Sequence, residues 1–527
     1  MTSVLVTEEI APAGVELLRG EFQVDVELNP APDELAERIG GYDALIVRSA
    51  TTVSADLLEH AGRLKVIGRA GTGVDNVDVA AATRRGIIVA NAPGSNMVAA
   101  AEHAMGLLLA IARNIPQAHA ALVQGRWERK RFGGVELADK VLGIVGFGRI
   151  GQLVAARAKA FGMRVCVFDP FVSAERCREL GVTSASLENL LLQADFVTLH
   201  APLTPETRHL IDAERLALMK PGARMVNAAR GDLIDIDALV DALRSGHVAG
   251  AALDVFPSEP YTSGPILELP NVVVTPHLGA STQEAQDRAG VIVAEQVAAA
   301  LRGGLVTNAV NIPQVRPEDL DLLGPYLPVA TQLGRLAVGL HEGRLEGIEV
   351  TYDGALAEHD TRLLTSAVTM GAFATRSDEP VNLVNARTVA ESRGIAVTEG
   401  RSHAPGDYTS LIRVSTGPGQ TVAGTTIGRE NRPWLVDVEG YQLEIELAGH
   451  MVVMLNDDRP GIIGRVGTAF GEDGVNIANM SVSRNLRGDR AVMVLALDVT
   501  PAPAVIEHLS ALDGVHRVRS VDLDGLG

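Results

Sequence analysis

Cysteine is nearly absent from this chain. Its 527 residues hold two, Cys166 and Cys177, and neither sits in a CxxC or Cys/His pattern. No metal site or disulfide framework is indicated, and reduced thiols in a reducing compartment are expected. Positive charge is also short. Forty-six Lys and Arg face 65 Asp and Glu, a formal net charge of −19. That balance argues against a general nucleic-acid or membrane surface, while leaving room for a local basic pocket. Long apolar runs are missing too: the longest, around 105–112, is too short to span a bilayer. The N-terminus carries Glu8 and Glu9 and no basic start, so it does not read as a signal peptide. A cytoplasmic location is the expectation.

What is present is alternation. Length suggests three or four domains. Short apolar runs at 3–6, 44–47, 64–68 and 87–90 alternate with segments of helical spacing, which implies a doubly wound parallel sheet. A long helix is expected from about 98 to 125. A second series of six strands is read at 141–145, 164–168, 196–199, 224–227, 249–253 and 272–275, enough for a dinucleotide-binding domain. Ser281 with Glu284 three residues on reads as a capping box opening a helix to about 302. That helix is expected to return the chain to the first domain. Pro313, Pro317, Pro325 and Pro328 then punctuate a connection. The region 315–450 shows short strands at 350–352 and 443–447 and no catalytic cluster. The last segment reads βαββαβ, the split ferredoxin-like order. The expected domains are 1–97 with 284–314, 98–283, 315–450 and 451–527.

The run Gly146–Gly151 fits G-x-G-x-x-G between a strand and a helix. The first glycine permits the tight turn, the second lets backbone approach a pyrophosphate, and the third lets helix and strand pack closely. The helix N-terminus offers free N–H groups to phosphate. Asp169 closes the next strand, 18 residues beyond Gly151. A carboxylate there suits ribose hydroxyls and repels a 2′-phosphate, so NAD is expected rather than NADP.

Three polar side chains follow strand ends of the same series. His277 lies in Thr275-Pro276-His277-Leu278-Gly279, Glu259 in the run 254–260, and Arg230 in Asn227-Ala228-Ala229-Arg230-Gly231. An imidazole titrates near neutral pH and suits proton exchange. A neighbouring carboxylate would favour its protonated form and orient it. A guanidinium stays charged and presents a fork to a carboxylate. Together they fit oxidation of an alcohol beside a carboxylate, and no metal is called for.

The stretches 143–151, 227–231, 254–260 and 275–282 resemble the signatures of D-2-hydroxyacid dehydrogenases, over roughly residues 1–310. The resemblance implies His277 as acid/base, Glu259 as its partner and Arg230 as substrate clamp. It also implies cofactor contacts at Gly146, Gly148, Arg149, Ile150, Gly151, Asp169, Ala228, Ala229, Asp254, Gly279 and Ala280. The runs Val47–Thr51 and Arg69–Asn76 resemble the phosphoglycerate-oxidising branch of that family. There the backbone around Gly71, Thr72 and Gly73 would hold the substrate carboxylate. Arg48, and Arg69 with it, would suit the phosphate of 3-phosphoglycerate, and Ser49 is expected among the substrate contacts. Arg129, Lys130 and Arg131 form a second basic cluster, read equally well as solvated charge. Asn456-Asp457-Asp458-Arg459-Pro460-Gly461 and Gly474-Val475-Asn476-Ile477 resemble an ACT module. Paired modules of that kind bind L-serine as feedback inhibitor, the matching positions being Asn456, Asp458 and Asn476. Region 315–450 resembles the intervening allosteric, substrate-binding domain of the branch's long form. The resemblance further implies L-serine biosynthesis and a homotetramer.

Overall fold

The computed structural model describes residues 2–524 apart from 375, 378, 379, 404–406 and 448. Residue 1 and residues 525–527, which the expected outer bounds include, lie outside the described residues. Four sheets organise the chain, two of them parallel and doubly wound, one mixed and one antiparallel.

The first sheet has five parallel strands, in the order Gln23–Val26, Ser3–Val6, Ala44–Val47, Val66–Arg69, Ile88–Asn91. Its inner strands are mostly apolar and buried because both faces are covered. Leu5, Leu45, Ile67 and Val89 point to one core. Val4, Val6, Ile46 and Val66 point to another, where they meet Val293 and Val297 of helix Gln283–Leu301. Each such side chain contributes roughly 1.5–3 kcal/mol of burial. The helix approaches closely because Gly68 has no Cβ. One built there would stand 2.7 Å from a Val297 methyl. Gly14 and Gly290 meet in the same way, with a Cβ on Gly14 at 2.7 Å from the Gly290 carbonyl oxygen.

The second sheet has seven parallel strands, not six. Its order is Val272–Val274, Val248–Leu253, Ala223–Asn227, Phe196–Leu199, Val141–Val145, Arg164–Phe168, Thr183–Ser184. The order reverses between Phe196–Leu199 and Val141–Val145, which opens a crevice at the strands' carboxyl ends. The extra strand, Thr183–Ser184, is two exposed polar residues and so carries no apolar signal. Likewise Gln23–Val26 is a half-exposed edge strand of the first sheet. The expected long helix is two, Met97–Arg113 and Ile115–Val123, bent by 64°. Asn114 adopts φ 53°, ending the first helix in the left-handed region. Pro116 then sits in the first turn of the second, where its missing N–H costs nothing. The cap of helix Gln283–Leu301 is Thr282, whose hydroxyl accepts the Ala285 N–H at 3.2 Å, rather than Ser281.

Beyond residue 315 the architecture changes. Six strands form a sheet in the order Ala396–Ser402, Gly347–Gly354, Ser410–Gly417, Gln420–Ile427, Arg432–Val438, Tyr441–Glu446, all antiparallel neighbours except the first pair. Helices Tyr326–Leu340 and Arg362–Phe373 cover one face. The last unit is the βαββαβ sandwich, strand order Ile477–Arg484, Arg490–Leu497, His450–Asp457, Val515–Asp522. Its two helices cover one face. Met451, Val453, Val492, Val494 and Val521, from the other face, join the apolar core of the six-stranded unit. Arg335, inside that core, donates to the Asp524 carbonyl at 2.7 Å. Among the described residues, no single helix is long and apolar enough to cross a membrane.

Candidate active site

The glycine turn follows Val141–Val145 at the crevice. Gly146 has φ 90°, and a Cβ there would lie 2.7 Å from the His200 carbonyl. A Cβ on Gly151 would stand 2.3 Å from the Gly146 carbonyl oxygen. Both positions are therefore fixed by the chain itself. Gly148 differs: a Cβ there meets no protein atom within 4 Å. The space beside it is open, which leaves room for a pyrophosphate against the backbone. Arg149 and Ile150 then open helix Arg149–Ala160. The Asp169 carboxylate accepts the N–H of Phe147 at 2.7 Å and of Phe171 at 2.8 Å, which seats it against the turn. These residues fit a dinucleotide with free ribose hydroxyls.

Asp254 is the pin of the site. It is fully buried at the end of Val248–Leu253. It accepts the N–H groups of Leu278 at 2.7 Å and Gly279 at 2.8 Å and the Thr275 hydroxyl at 2.5 Å. His103, from helix Met97–Arg113, reaches it at 3.1 Å and Thr275 at 3.0 Å. Burial pushes this carboxyl up, but the His103, Thr275 and Leu278 bonds outweigh it and hold Asp254 below the ordinary range. The loop so gripped carries His277, at φ 55°. That left-handed backbone, uncommon for a residue with a Cβ, is held by its surroundings.

His277 Nδ1 lies 2.6 Å from Glu259 Oε2, and Glu259 Oε1 accepts the Phe256 N–H at 3.0 Å. The Glu259 bond raises the imidazole above its usual range; burial and the charge of Arg230 oppose that rise. Burial alone would raise the Glu259 carboxyl, but the bonds from His277 and Phe256 hold it below the usual value. Arg230 donates to the Ala229 carbonyl at 2.8 Å and pairs with Asp75 at 3.2 Å. Asn227 braces the Ala228–Ala229 turn, taking the Ala229 N–H at 3.0 Å and donating to the Arg230 carbonyl at 2.8 Å. Gly231 is needed because a Cβ would stand 2.0 Å from the Phe256 carbonyl carbon. The arginine run and the glutamate run thus pack backbone to backbone.

Opposite them, Gly71 and Gly73 make room for guanidinium groups. A Cβ on Gly71 would strike Arg69 at 1.7 Å, and one on Gly73 would strike Arg230 at 2.5 Å. Burial, then the charge of Arg230, lowers the Arg69 pKa. Two cations crowd one loop, an arrangement that an anion relieves. A cavity of about 760 Å³ joins the sides, lined among others by Arg48, Ser49, Arg69, Gly71, Glu259, His277 and Ala280. Thr72 turns instead to Asn96, at 2.9 Å. Sequence reasoning missed His103, Ser95, Asn96, Tyr261 and Gln286, of which all but His103 line the cavity. Only His103 left a trace, beside Glu102 in a charged pair just before an apolar run. Arg129, Lys130 and Arg131 do not line the cavity; they form an exposed turn, with Arg131 paired to Glu128 at 3.2 Å.

The three residues expected to bind serine are not brought together within the chain. Asn456 pairs in register with Ala491, whereas Ile477, next to Asn476, pairs with Leu497. Six residues of strand separate the two ends, about 20 Å. Asp458 stays with Asn456 and pairs with Arg484 at 2.9 Å. Asn476 donates to Asp498 at 2.7 Å.

Residues 105–279 match the NAD-binding domain of the D-isomer specific 2-hydroxyacid dehydrogenases. Residues 322–439 match the D-3-phosphoglycerate dehydrogenase intervening domain, and 450–514 the ACT domain. Among solved structures, D-lactate dehydrogenase from Aquifex aeolicus, complexed with NAD and lactic acid, is 28% identical with a TM-score of 0.53. It covers 59% of this chain and 99% of its own. A glyoxylate reductase from Paecilomyes thermophila is 32% identical with a TM-score of 0.54, covering 60% and 99%. The site is thus that of a 2-hydroxyacid dehydrogenase, an oxidoreductase whose cofactor is NAD. Over 99% of this chain and the whole of their own length, D-3-phosphoglycerate dehydrogenases from Methanocaldococcus jannaschii and Archaeoglobus fulgidus are 44% and 42% identical. The chain belongs to the D-3-phosphoglycerate dehydrogenase family.

Proposed function

We propose that this enzyme oxidises 3-phospho-D-glycerate to 3-phosphooxypyruvate with NAD⁺, opening L-serine biosynthesis, and that L-serine inhibits it through the C-terminal module. The observation that carries the catalytic reading is the 2.6 Å contact of His277 with Glu259, at a strand end beside Arg230. Bound NAD⁺ supplies the hydride acceptor. His277 in its neutral form takes the proton of the 2-hydroxyl. Glu259 then stabilises the imidazolium across that contact and keeps the ring's other nitrogen turned to the substrate. Arg230, freed in part from Asp75, clamps the carboxylate and polarises the oxygen that becomes a carbonyl. Backbone around Gly71–Gly73 holds the same carboxylate. Arg48, with Ser49 and Arg69, takes the phosphate.

For serine, the positions of Asn456 and Asp458 at one sheet end and Asn476 at the other favour a site built between two copies of the module. Asn456 supports this: its side-chain carbonyl is buried without a partner among the described residues, an acceptor suited to an ammonium group. A homotetramer would supply such pairing. The experiment is NADH formation from phosphoglycerate with the oxo product trapped, with and without L-serine. Steady NADH production, reduced by serine, is expected. No NADH from phosphoglycerate would overturn the catalytic reading, and indifference to serine would overturn the regulatory one.

A further inference from the structure

The loop 48–51 presents Arg48 and Ser49 to the cavity. It has left the strand Ala44–Val47, and among the described residues it joins no β-ladder. Backbone groups in such a place need other partners. Two side chains provide them. Glu8, just past the strand Ser3–Val6, is 7% exposed. Its carboxylate accepts the N–H of Arg48 at 2.8 Å, of Ala50 at 3.0 Å and of Thr51 at 2.9 Å. From the other side, the Asn76 amide donates to the carbonyls of Arg48 at 2.8 Å and Thr51 at 2.6 Å. The Ser49 N–H, skipped by Glu8, donates to no protein atom among the described residues.

Asn76 has a second attachment. It closes the stretch that begins with Gly71–Gly73, and its own carbonyl accepts the Val53 N–H at 2.8 Å. It therefore ties the loop of Arg48 and Ser49 to the loop of Gly71–Gly73. On the reading above, these are the phosphate and carboxylate subsites. Glu8 also brings a negative charge close enough to be felt by Arg69, opposing the push of Arg48. Burial works against its ionised form, but the three backbone bonds prevail and hold its pKa below the usual carboxylate value.

We propose that Glu8 and Asn76 are positioning residues that fix the spacing between the two anion subsites, and so set the preference for a phosphorylated three-carbon 2-hydroxy acid over its unphosphorylated counterpart. Neither touches the reacting atoms. The inference rests on the assignment of Arg48 to the phosphate.

The test uses the full-length enzyme carrying Glu8→Gln, which places an N–H₂ where one backbone N–H now finds an acceptor, or Asn76→Ser, which shortens the tie. Steady-state kinetics are measured with 3-phosphoglycerate and with D-glycerate, and inorganic phosphate is titrated as a competitive inhibitor. We expect KM for phosphoglycerate and the phosphate inhibition constant to rise about tenfold or more, as displaced binding groups cause. The kcat should stay within about threefold and the D-glycerate kcat/KM within about twofold. A purely structural role would lower both substrates together. That result, or unchanged phosphoglycerate kinetics in both variants, would overturn the proposal. If one variant fails to fold, the other decides. Arg48→Ala separates the layers: unchanged KM there removes the phosphate assignment itself, whereas a raised KM alongside normal Glu8→Gln and Asn76→Ser enzymes sinks only this inference.

Discussion

Two cavities of similar size sit in opposite halves of the molecule, and their linings differ in charge and in construction. The first, about 760 Å³, is lined by strand ends and loops of both parallel sheets and holds Arg48, Arg69 and His277. The second, about 860 Å³, lies on the open face of the six-stranded sheet. Part of its lining alternates along the strands (Thr351 and Asp353, Leu411 and Arg413), as side chains on one face of a sheet do, while Val436–Asp437 and Gln442–Glu444 line it as consecutive residues. Among the described lining residues, Asp353, Asp407, Asp437 and Glu444 stand with one arginine, Arg413. Burial pushes the Asp437 carboxyl above its ordinary range. The two are built differently: parallel strands ending at one rim bring the groups of the first together, while a sheet face spreads those of the second along its strands.

The largest expected effect tests that contrast at the imidazole. His277→Ala should lower kcat by about 10²–10⁴-fold, the usual worth of a positioned acid/base, with NADH binding measured by fluorescence nearly unchanged. Retained activity would erase the distinction between the cavities. Next comes Arg230→Ala. Loss of a charged hydrogen-bonding clamp should cost about 1.5–3 kcal/mol, read as a drop of about 10–150-fold in kcat/KM for phosphoglycerate. Glu259→Gln sharpens the picture through pH. The wild-type imidazole is held above its ordinary pKa, so it stays protonated further up the pH scale. Oxidation needs it neutral and should rise with pH through a midpoint above 6.5. In Glu259→Gln that midpoint should fall, and an unmoved profile would dissociate the carboxylate from the titration. The smallest effect belongs to the second cavity: Asp437→Asn should change kcat and KM by less than about twofold. A large change there would bring the two halves closer in function than their linings suggest.

The parallel half was the more legible in sequence for the same physical reason. Buried central strands such as Ala44–Val47 and Val141–Val145 are unbroken apolar runs, and the residues after them fall at the rim. Hence Arg230, Glu259 and His277 could be named from their places after strands. What escaped was set by partners distant in the chain. Thr183–Ser184 is a strand only because Arg164–Phe168 pairs with it. The bend at Asn114 depends on a backbone angle that apolar spacing does not report. Thr282 and Ser281 are both capping types, with Ser the better of the two, so residue type alone points to the wrong one. His103 and Glu8 work through contacts across more than 20 residues, and no local spacing announces them. In the six-stranded unit only 350–352 and 443–447 stood out as strands, because strands such as Ala396–Ser402 are half exposed and polar. Asn476 carried the right chemistry for a ligand, but which end of the sheet it occupies follows from register.

The crowding of Arg69 and Arg230 over Gly71 and Gly73 has a consequence for encounter in solution. A molecule with a net charge of −19 repels anions at a distance. Its guanidinium groups attract them only nearby, since the Debye length at physiological ionic strength is about 8 Å. Capture is therefore a close-range event at the rim. Added salt should thin the outer barrier and loosen the inner grip together, leaving the rate of productive collision less sensitive to ionic strength than affinity is.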